Sequence, residues 1–252
     1  MSDVTVVRLD QRPDLIDRLY DLDDGWPEFM GQDPICNALM NRVPREFPHT
    51  CVVGVDADGQ VVARGRSMPF AFGSGYRTEL PAGGLDRALQ WAFRDLATGT
   101  APTDACAIEI AVDQTYRGQG LSYRVLAAMS SAVRDAGLGS LYAPVRPSEK
   151  HLQPLVPMSE YIGMKRPDGL PVDAWLRMHV RAGATIIGVA PASMMMAGSL
   201  AEWREWTGLP FDSSGAVIVP GALVPVTCDV EHDYAAYVEP NVWVRHPLPS
   251  PS

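Results

Sequence analysis

The stretch Ala107-Ile-Glu-Ile-Ala-Val-Asp113, followed directly by Gln114-Thr-Tyr-Arg-Gly-Gln-Gly-Leu-Ser122, decides the fold of this 252-residue chain. The apolar run predicts a buried strand, and Gly118 and Gly120 predict a turn after it. A helix should follow, because apolar residues recur every four positions at Leu121, Val125, Met129 and Val133. Glycines let a backbone approach a ligand closely, and the N–H groups at a helix N-terminus point at negative charge. The order of strand, glycine turn and helix therefore predicts a pyrophosphate site.

Two common pyrophosphate motifs do not fit this turn. A P-loop ends in Gly-Lys-Ser or Gly-Lys-Thr, and neither tripeptide occurs in the chain. The dinucleotide fingerprint needs a third glycine at the position held by Tyr123. The remaining segment, Arg117 to Ser122, resembles the acyl-coenzyme A loop of the GNAT superfamily of N-acetyltransferases, whose pattern is Gln/Arg-x-x-Gly-x-Gly/Ala. Arg117 fills the first position and Gly120 the fourth, while Ser122 replaces the usual Gly or Ala.

The resemblance implies a function and a set of binding residues. It implies transfer of an acetyl group from acetyl-CoA, or of another acyl group from its CoA thioester, to an amine of a small molecule or peptide by direct attack. A backbone N–H near Ala111 or Val112 would bind the developing oxyanion. The residues that it assigns to acyl-CoA are Ala111, Val112, Arg117, Gly118, Gln119, Gly120, Leu121 and Ser122.

Two residues are candidates for acid–base chemistry. In the family a Tyr four residues before a helix-ending glycine protonates the departing thiolate, and here His179 stands four residues before Gly183. Histidine is able to move protons at neutral pH, so His179 is either the general acid or a packed core residue. Glu109 lies on the strand before the loop. It either deprotonates the amine, directly or through water, or is an ordinary strand residue or ion-pair partner.

The order of elements predicts an α/β fold with a mixed sheet. The resemblance makes that sheet mostly antiparallel and flanks it with helices, in a single domain spanning residues 1–252. Helices are expected at 13–22, 33–42 and 85–96, and a strand at 185–189 that Pro191 terminates. The last strand is expected at 241–245. An insertion at about 191–239, with Trp203 and Trp206, would lie between these last two strands and beside the acceptor pocket.

Composition and residue spacing limit the binding partners, metal sites and location that we expect. The formal net charge of −9 argues against nucleic acid and anionic membrane. The apolar segment 182–201 is broken by Pro191 and glycines and predicts two buried elements rather than a membrane span. The four cysteines and the histidines lack metal-ligand spacing, so no metal is expected and the thiols should be buried and free. Without a signal-peptide pattern at the N-terminus, a cytoplasmic location is expected. A homodimer is compatible with these features.

Two other functions stay open at this point. A noncatalytic acyl-CoA-binding domain would keep Arg117, Gly118 and Gly120 but need no acid or base. A GNAT-like fold that decarboxylates an acyl thioester, or acts as an S-acyltransferase to a carrier thiol, would also fit, because the usual Tyr is missing. The sequence leaves the acceptor, the acyl chain length and the oligomeric state undetermined.

Overall fold

The computed structural model describes residues 4–22, 25–73 and 75–248, which form a sheet of nine strands with helices on both faces. The strands are β1 (Thr5–Arg8), β2 (Val52–Val55), β3 (Val61–Phe70), β4 (Asp104–Val112), β5 (Ser140–Val145), β6 (Thr185–Gly198), β7 (Gly215–Val217), β8 (Val226–Asp229) and β9 (Tyr234–Pro247). The helices are α1 (Pro34–Leu39), α2 (Val43–Glu46), α3 (Gly84–Thr98), α4 (Leu121–Asp135), α5 (Met158–Tyr161), α6 (Ala174–Arg181) and α7 (Leu200–Thr207).

The sheet is mixed and mostly antiparallel, which confirms the predicted fold class. Its first six strands lie in the order β1-β2-β3-β4-β5-β9, and only the β4–β5 pair is parallel. β6 pairs with β9 along the other edge of β9. Because Ala235 and Ala236 pair with both β6 and β8, β8 must lie on the same edge of β9 as β5. β7 extends the sheet beyond β8.

Each face of the sheet has its own apolar core. The alternation of side chains along a strand separates the two: on β5, Tyr142 faces one core while Leu141 and Ala143 face the other. α4 covers the second face with the residues predicted from its four-residue repeat, and Val125, Met129 and Val133 are fully buried. α3 and the N-terminal segment cover the first face.

β6 corrects the prediction that Pro191 ends a strand. The strand runs to Gly198, and its register against β9 shifts between Ala190 and Met194. A bulge of this kind tolerates a proline, because the residues in it need not donate to the ladder. The bulge places Ser193 Oγ 2.9 Å from the Leu85 N–H, so β6 caps the start of α3. Gly84 has φ of +39°, and a Cβ there would lie 2.1 Å from Ser193 Oγ.

The connection between β6 and β9 is shorter than the 191–239 segment expected, because both strands are longer. It comprises residues 199–233 and carries α7, β7 and β8. In the N-terminal part, 3-10 turns (Pro13–Leu15 and Asp17–Asp21) replace the first predicted helix. α1 is shorter than predicted but is capped by Asp33, as its sequence indicated.

Two further findings concern the whole described chain. All four cysteines are buried and unpaired, as predicted. Within residues 4–22, 25–73 and 75–248, none of the helices has the length and apolar character needed to cross a membrane.

Candidate functional site

A cleft opens where β4 and β5 part. The two strands pair at Ala105–Leu141 and Cys106–Tyr142, and the ladder ends there. One step further, β4 carries a bulge: Glu109 pairs with Arg66 and Ala107 with Ser67, which leaves Ile108 as the extra residue. A bulge bends its strand, so β4 turns away from β5. The cavity between them measures about 510 Å³ and is lined by residues 107–112 and 143–146. Parted strand edges expose backbone donors and acceptors to an extended ligand.

The N-terminus of α4 lies at one end of this cleft. Gly118 and Gly120 have φ of 75° and 77°, a conformation that favours glycine. Gly120 is the N-cap of α4, and no side chain caps the helix. The first N–H groups of a 15-residue helix are therefore available to an anion. The loop itself is braced by hydrogen bonds from Arg117 Nε to the Val112 carbonyl (3.2 Å) and from Gln119 Nε2 to the Thr115 carbonyl (3.0 Å).

The fold brings most of the sequence-predicted site residues to this cleft. Those that line the cavity are Glu109, Ala111, Val112, Arg117, Ser122 and His179. Gly118, Gln119 and Gly120 form the loop between them, outside the cavity lining. Leu121 has a buried side chain in the core under α4, so its contribution to a ligand is confined to its backbone.

Glu109 is held by two arginines. Arg64 donates to both carboxylate oxygens, at 2.7 and 3.0 Å, and Arg66 Nε lies 2.7 Å from Oε2. Burial by itself would raise the pKa of Glu109. The charges of Arg66 and Arg64 and their hydrogen bonds outweigh it, so the pKa lies below its usual range. Both carboxylate oxygens thus already accept hydrogen bonds from Arg64, and Oε2 also lies against Arg66. This surrounding supports the ion-pair interpretation over the general base.

His179 forms a pair with a residue that sequence reasoning left without a role. Its Nδ1 lies 2.9 Å from Nε2 of His246 on β9. Burial, and to a smaller extent His246, lowers the pKa of His179 to about 3. Burial lowers the pKa of His246 to about 4, and a hydrogen bond to the Ala182 backbone opposes that shift. Both rings are therefore neutral at pH 7. No spacing in the sequence connects residues 67 positions apart, so this pair was invisible there.

The other end of the cleft holds a buried polar network around Glu239. Arg146, Tyr237 and Asn241 all donate to its carboxylate, at distances between 2.9 and 3.2 Å. The Arg146 guanidinium lies over the Trp26 ring, 5.3 Å from its centroid. Trp26, Arg146, Glu239 and Asn241 line the cavity. One sequence signal was present: Tyr237, Glu239 and Asn241 are spaced by two, which places them on one face of a strand.

Arg146 and Lys150, which follow β5 in the sequence, are both buried or nearly so. The Arg146 side chain is 18% exposed, and Lys150 is fully buried. Lys150 Nζ donates to the carbonyls of Gln153 (2.7 Å) and Leu223 (2.6 Å). Buried cations of this kind need partners, which the backbone supplies.

The segment 199–233 contacts this end of the cleft through one loop. Arg146 Nη2 donates to the Gly221 carbonyl at 2.5 Å, and the Leu223 N–H donates to Tyr237 Oη at 2.8 Å. Trp203 belongs elsewhere, because it is fully buried in the core and its Nε1 donates to the Ala235 carbonyl at 2.8 Å. Thus the loop around Gly221, rather than the tryptophan, contacts the cavity-lining residue Arg146, while the described residues that line the cavity itself include none from 199–233.

A carboxyl pair lies behind the cavity residues Leu85 and Met194. Asp33 accepts from the N–H groups of Cys36 (2.8 Å) and Met195 (2.9 Å) and is fully buried. Asp86, in the first turn of α3, is hydrogen-bonded to Asp33. Burial, then the charge of Asp33, raises the pKa of Asp86 to about 8. Donor atoms of Asp33, Cys36 and Asp86 lie within 4.8 Å of one another.

Comparisons with known proteins identify relatives of this chain and likenesses of its fold. No family model matches the chain. The arginine N-acetyltransferase avaD of Aspergillus versicolor is 31% identical over an alignment of 269 positions, which covers 94% of this chain and 91% of that protein. Among solved structures, the loading GNATL domain of CurA from Lyngbya majuscula has a TM-score of 0.63 at 16% identity, with 98% of each chain covered. The GphF GNAT-like decarboxylase in complex with isobutyryl-CoA has a TM-score of 0.59 at 18% identity, covering 98% of this chain and 99% of that one. These two likenesses concern the fold.

Proposed function

Because the chain belongs to the GNAT superfamily of N-acetyltransferases, we propose which of its residues bind acyl-CoA and where its amine acceptor enters. It is an acyl-CoA-dependent enzyme that transfers an acetyl group to an amine of a small molecule. One observation carries the site proposal: β4 and β5 part directly in front of the uncapped N-terminus of α4.

The acyl-CoA thioester occupies the cleft with its pyrophosphate on the 117–122 loop. The positive φ of Gly118 and Gly120 turns the backbone there, and the α4 N-terminus favours negative charge. Arg117 and Ser122 line the adjoining cavity and add polar contacts. The extended arm of the cofactor then lies between the parted edges of β4 and β5, with the acyl group near Ala111 or Val112, where a backbone N–H binds the oxyanion. No metal is needed for this step.

The chemical step needs a route for protons more than a covalent intermediate. The amine attacks the thioester carbon, and its proton must leave as the thiolate departs. His179 lines the cavity and is neutral, so it is our candidate for that transfer. Glu109 has a different role in this proposal. It neutralises Arg64 and Arg66 and so keeps the bulged segment of β4 in place.

The acceptor enters from the end lined by Trp26, Arg146 and Glu239. This end lies at the β9 side of the cleft, away from the 117–122 loop that receives the pyrophosphate, and the loop around Gly221 holds its Arg146 by a hydrogen bond. We propose arginine or a molecule with an arginine-like side chain as the acceptor. Two observations support this choice: the relative described above is an arginine N-acetyltransferase, and the net charge of −9 attracts a cationic substrate.

The unpaired, buried state of all four cysteines supports a reducing compartment, and hence the cytoplasm, as the place of the reaction.

A thiol-release assay with an acceptor panel tests the proposal. The protein is mixed with acetyl-CoA and arginine, agmatine, lysine or tryptamine, free CoA is followed with a thiol reagent, and products are identified by mass spectrometry. The buried thiols of the protein keep the background low. We expect turnover with arginine or agmatine above that with tryptamine. Binding of acetyl-CoA without turnover of any amine would instead support a noncatalytic acyl-CoA-binding domain. Carbon dioxide release from malonyl-CoA in the absence of an amine would indicate decarboxylation.

A further inference from the structure

The two histidines lie between two separate cavities. His179 lines the cleft between β4 and β5. His246 lines a second cavity of about 380 Å³ on the other side, bounded by α4 and the end of β9, with Tyr123, Ser130, Arg134 and Leu248 among its walls. The Nδ1–Nε2 distance of 2.9 Å makes the two rings a continuous hydrogen-bonded bridge. The pair therefore joins a residue in the wall of the cleft to a residue in the wall of the second cavity.

The hydrogen bonds around the pair determine which nitrogen carries each proton. His246 uses Nε2 toward His179, so its other ring nitrogen, Nδ1, is the one available to donate to the Ala182 carbonyl. A neutral imidazole has one donor and one acceptor, and His246 Nε2 must then be the acceptor. The shared proton therefore belongs to His179 Nδ1, and the lone pair of His179 lies on Nε2. That atom has no hydrogen-bond partner among the described residues and is not sealed from solvent.

From this arrangement we propose that His179 and His246 form a proton relay for acetyl transfer, with His179 Nε2 as the acceptor of the amine's proton and His246 as its positioning residue. The inference rests on the proposed function and assigns His179 the role of base before that of acid. His246 fixes the tautomer of His179 and connects it to the second cavity.

The step balances without any further reactant. The amine nitrogen attacks the thioester carbon, the C–N bond forms, and the carbonyl π electrons move to oxygen. As nitrogen's proton passes to His179 Nε2, the oxyanion re-forms the carbonyl double bond, the C–S bond breaks and its electron pair goes to sulfur. The proton then moves from Nε2 to the thiolate, which gives the amide and CoA thiol. An acceptor that arrives as an ammonium loses one more proton to solvent beforehand, so that Nε2 is free when the amine attacks. While His179 Nε2 holds the amine's proton, the Nδ1 proton of His179 shifts to His246 Nε2 and places the charge on His246. The Nδ1 proton returns when Nε2 gives its proton to the thiolate.

The surroundings favour that direction of transfer. The hydrogen bond with the Ala182 backbone stabilises the protonated form of His246, whereas His179 has no comparable acceptor among the described residues. Trp175 meets the His179 ring edge-to-face, with centroids 5.1 Å apart, and so restricts its rotation.

Three histidine variants test the relay in single-turnover experiments with acetyl-CoA and the best acceptor of the panel. Glutamine can accept the Nδ1 proton of His179 but cannot pass a proton on, so His246→Gln should lower the single-turnover rate by about 10- to 100-fold. His179→Gln should lower it by about 10²–10⁴-fold. The apparent KM for acetyl-CoA should change by less than about 3-fold in both, because neither variant alters the pyrophosphate loop. His232→Gln, at an exposed histidine, is the control and should retain the full rate.

A second readout needs no substrate. The chain has five histidines, so ¹⁵N–¹H correlation spectra of the imidazoles can be assigned with single variants. At pH 7 we expect His179 to carry its proton on Nδ1, and His246→Leu to abolish that preference. A His179 ring protonated on Nε2 would overturn the proposal, as would folded His246→Gln protein with an unchanged single-turnover rate. If the wild-type protein turns over no amine at all, the proposed function fails, while the spectra still report on the pair.

Discussion

Asp86→Asn should make the protein more stable at neutral pH, by an amount that grows with pH. Asp86 has a pKa of about 8 in the folded protein, against 3.8 in its ordinary environment. Between these values the unfolded chain binds fewer protons than the folded one, so the contribution of this carboxyl is present below pH 4 and is lost as pH rises toward 8. Asparagine keeps an N–H donor for Asp33 and ionises in neither state. The variant therefore does not lose stability as the pH rises toward 8.

The size of the effect follows from the same two pKa values. At pH 7 the unfolded carboxyl is stabilised by ionisation by about 4 kcal/mol, a gain that the folded protein largely forgoes. Asp86 is partly accessible to solvent, so about half of that figure, roughly 2 kcal/mol, is the expected gain for Asp86→Asn. For a chain of this length it corresponds to a rise in Tm of about 4–8 °C. Near pH 4 the difference should be below about 1 kcal/mol.

Urea unfolding at pH 4.5, 6 and 7.5 measures this directly. The exposed turn residue Asp58 is the control, because Asp58→Asn removes a carboxylate from the surface rather than from a buried pair. The reasoning is refuted if Asp86→Asn destabilises the protein at pH 7.5, or if its advantage over wild type does not grow between pH 4.5 and 7.5.

Three further predictions concern the cleft and the core. Gly120→Val should remove the thermal stabilisation by CoA, since valine disfavours φ of 77°. The control is Gly99→Val, at φ of 65° on the end of α3, which should strain the backbone similarly yet leave CoA binding intact. Equal CoA affinity in the two variants would contradict the loop assignment. Glu109→Gln should cost about 3–5 kcal/mol in urea unfolding, because two buried arginines lose their counter-charge; a stable variant with kcat lowered 10²-fold or more would restore Glu109 as the base. Trp203→Ala should cost about 3–5 kcal/mol and leave the ratio of kcat/KM between acceptors unchanged; a changed ratio in folded protein would place Trp203 at the acceptor.

Local sequence patterns predicted well the part of the molecule that we assign to acyl-CoA binding. The strand, the glycine turn and α4 are contiguous in sequence, so their periodicity and the positive-φ glycines were readable directly, and the helix expected at 85–96 is the centre of α3. The Asp33 cap was predicted for the same reason. Each of these features depends on residues within a few positions of one another.

Features that depend on distant contacts were missed. Pro191 predicts the end of a strand because it lacks an N–H to donate. Pairing with β9 nevertheless continues β6 beyond Pro191, through a bulge. Lys150 is buried, and nothing nearby in the sequence predicts the carbonyl of Leu223 to which it donates. The ion pairs of Glu109 with β3 and the His179–His246 bridge likewise join residues more than forty positions apart.

The shared edge of β9 has an evolutionary consequence. β5 pairs with residues 242–247 of that edge and β8 with residues 234–236. The two strands therefore share one edge of β9 but pair with different residues of it. The 117–122 loop and the cleft between β4 and β5 lie on the side of β5. The loop around Gly221 lies on the side of β8. Over evolution, the segment 199–233 can therefore be exchanged, or its β7–β8 hairpin lengthened, while the 117–122 loop and the cleft between β4 and β5 are kept unchanged. Diversity among descendants of such a chain should concentrate in that segment, which contacts the cleft residue Arg146 through the loop around Gly221.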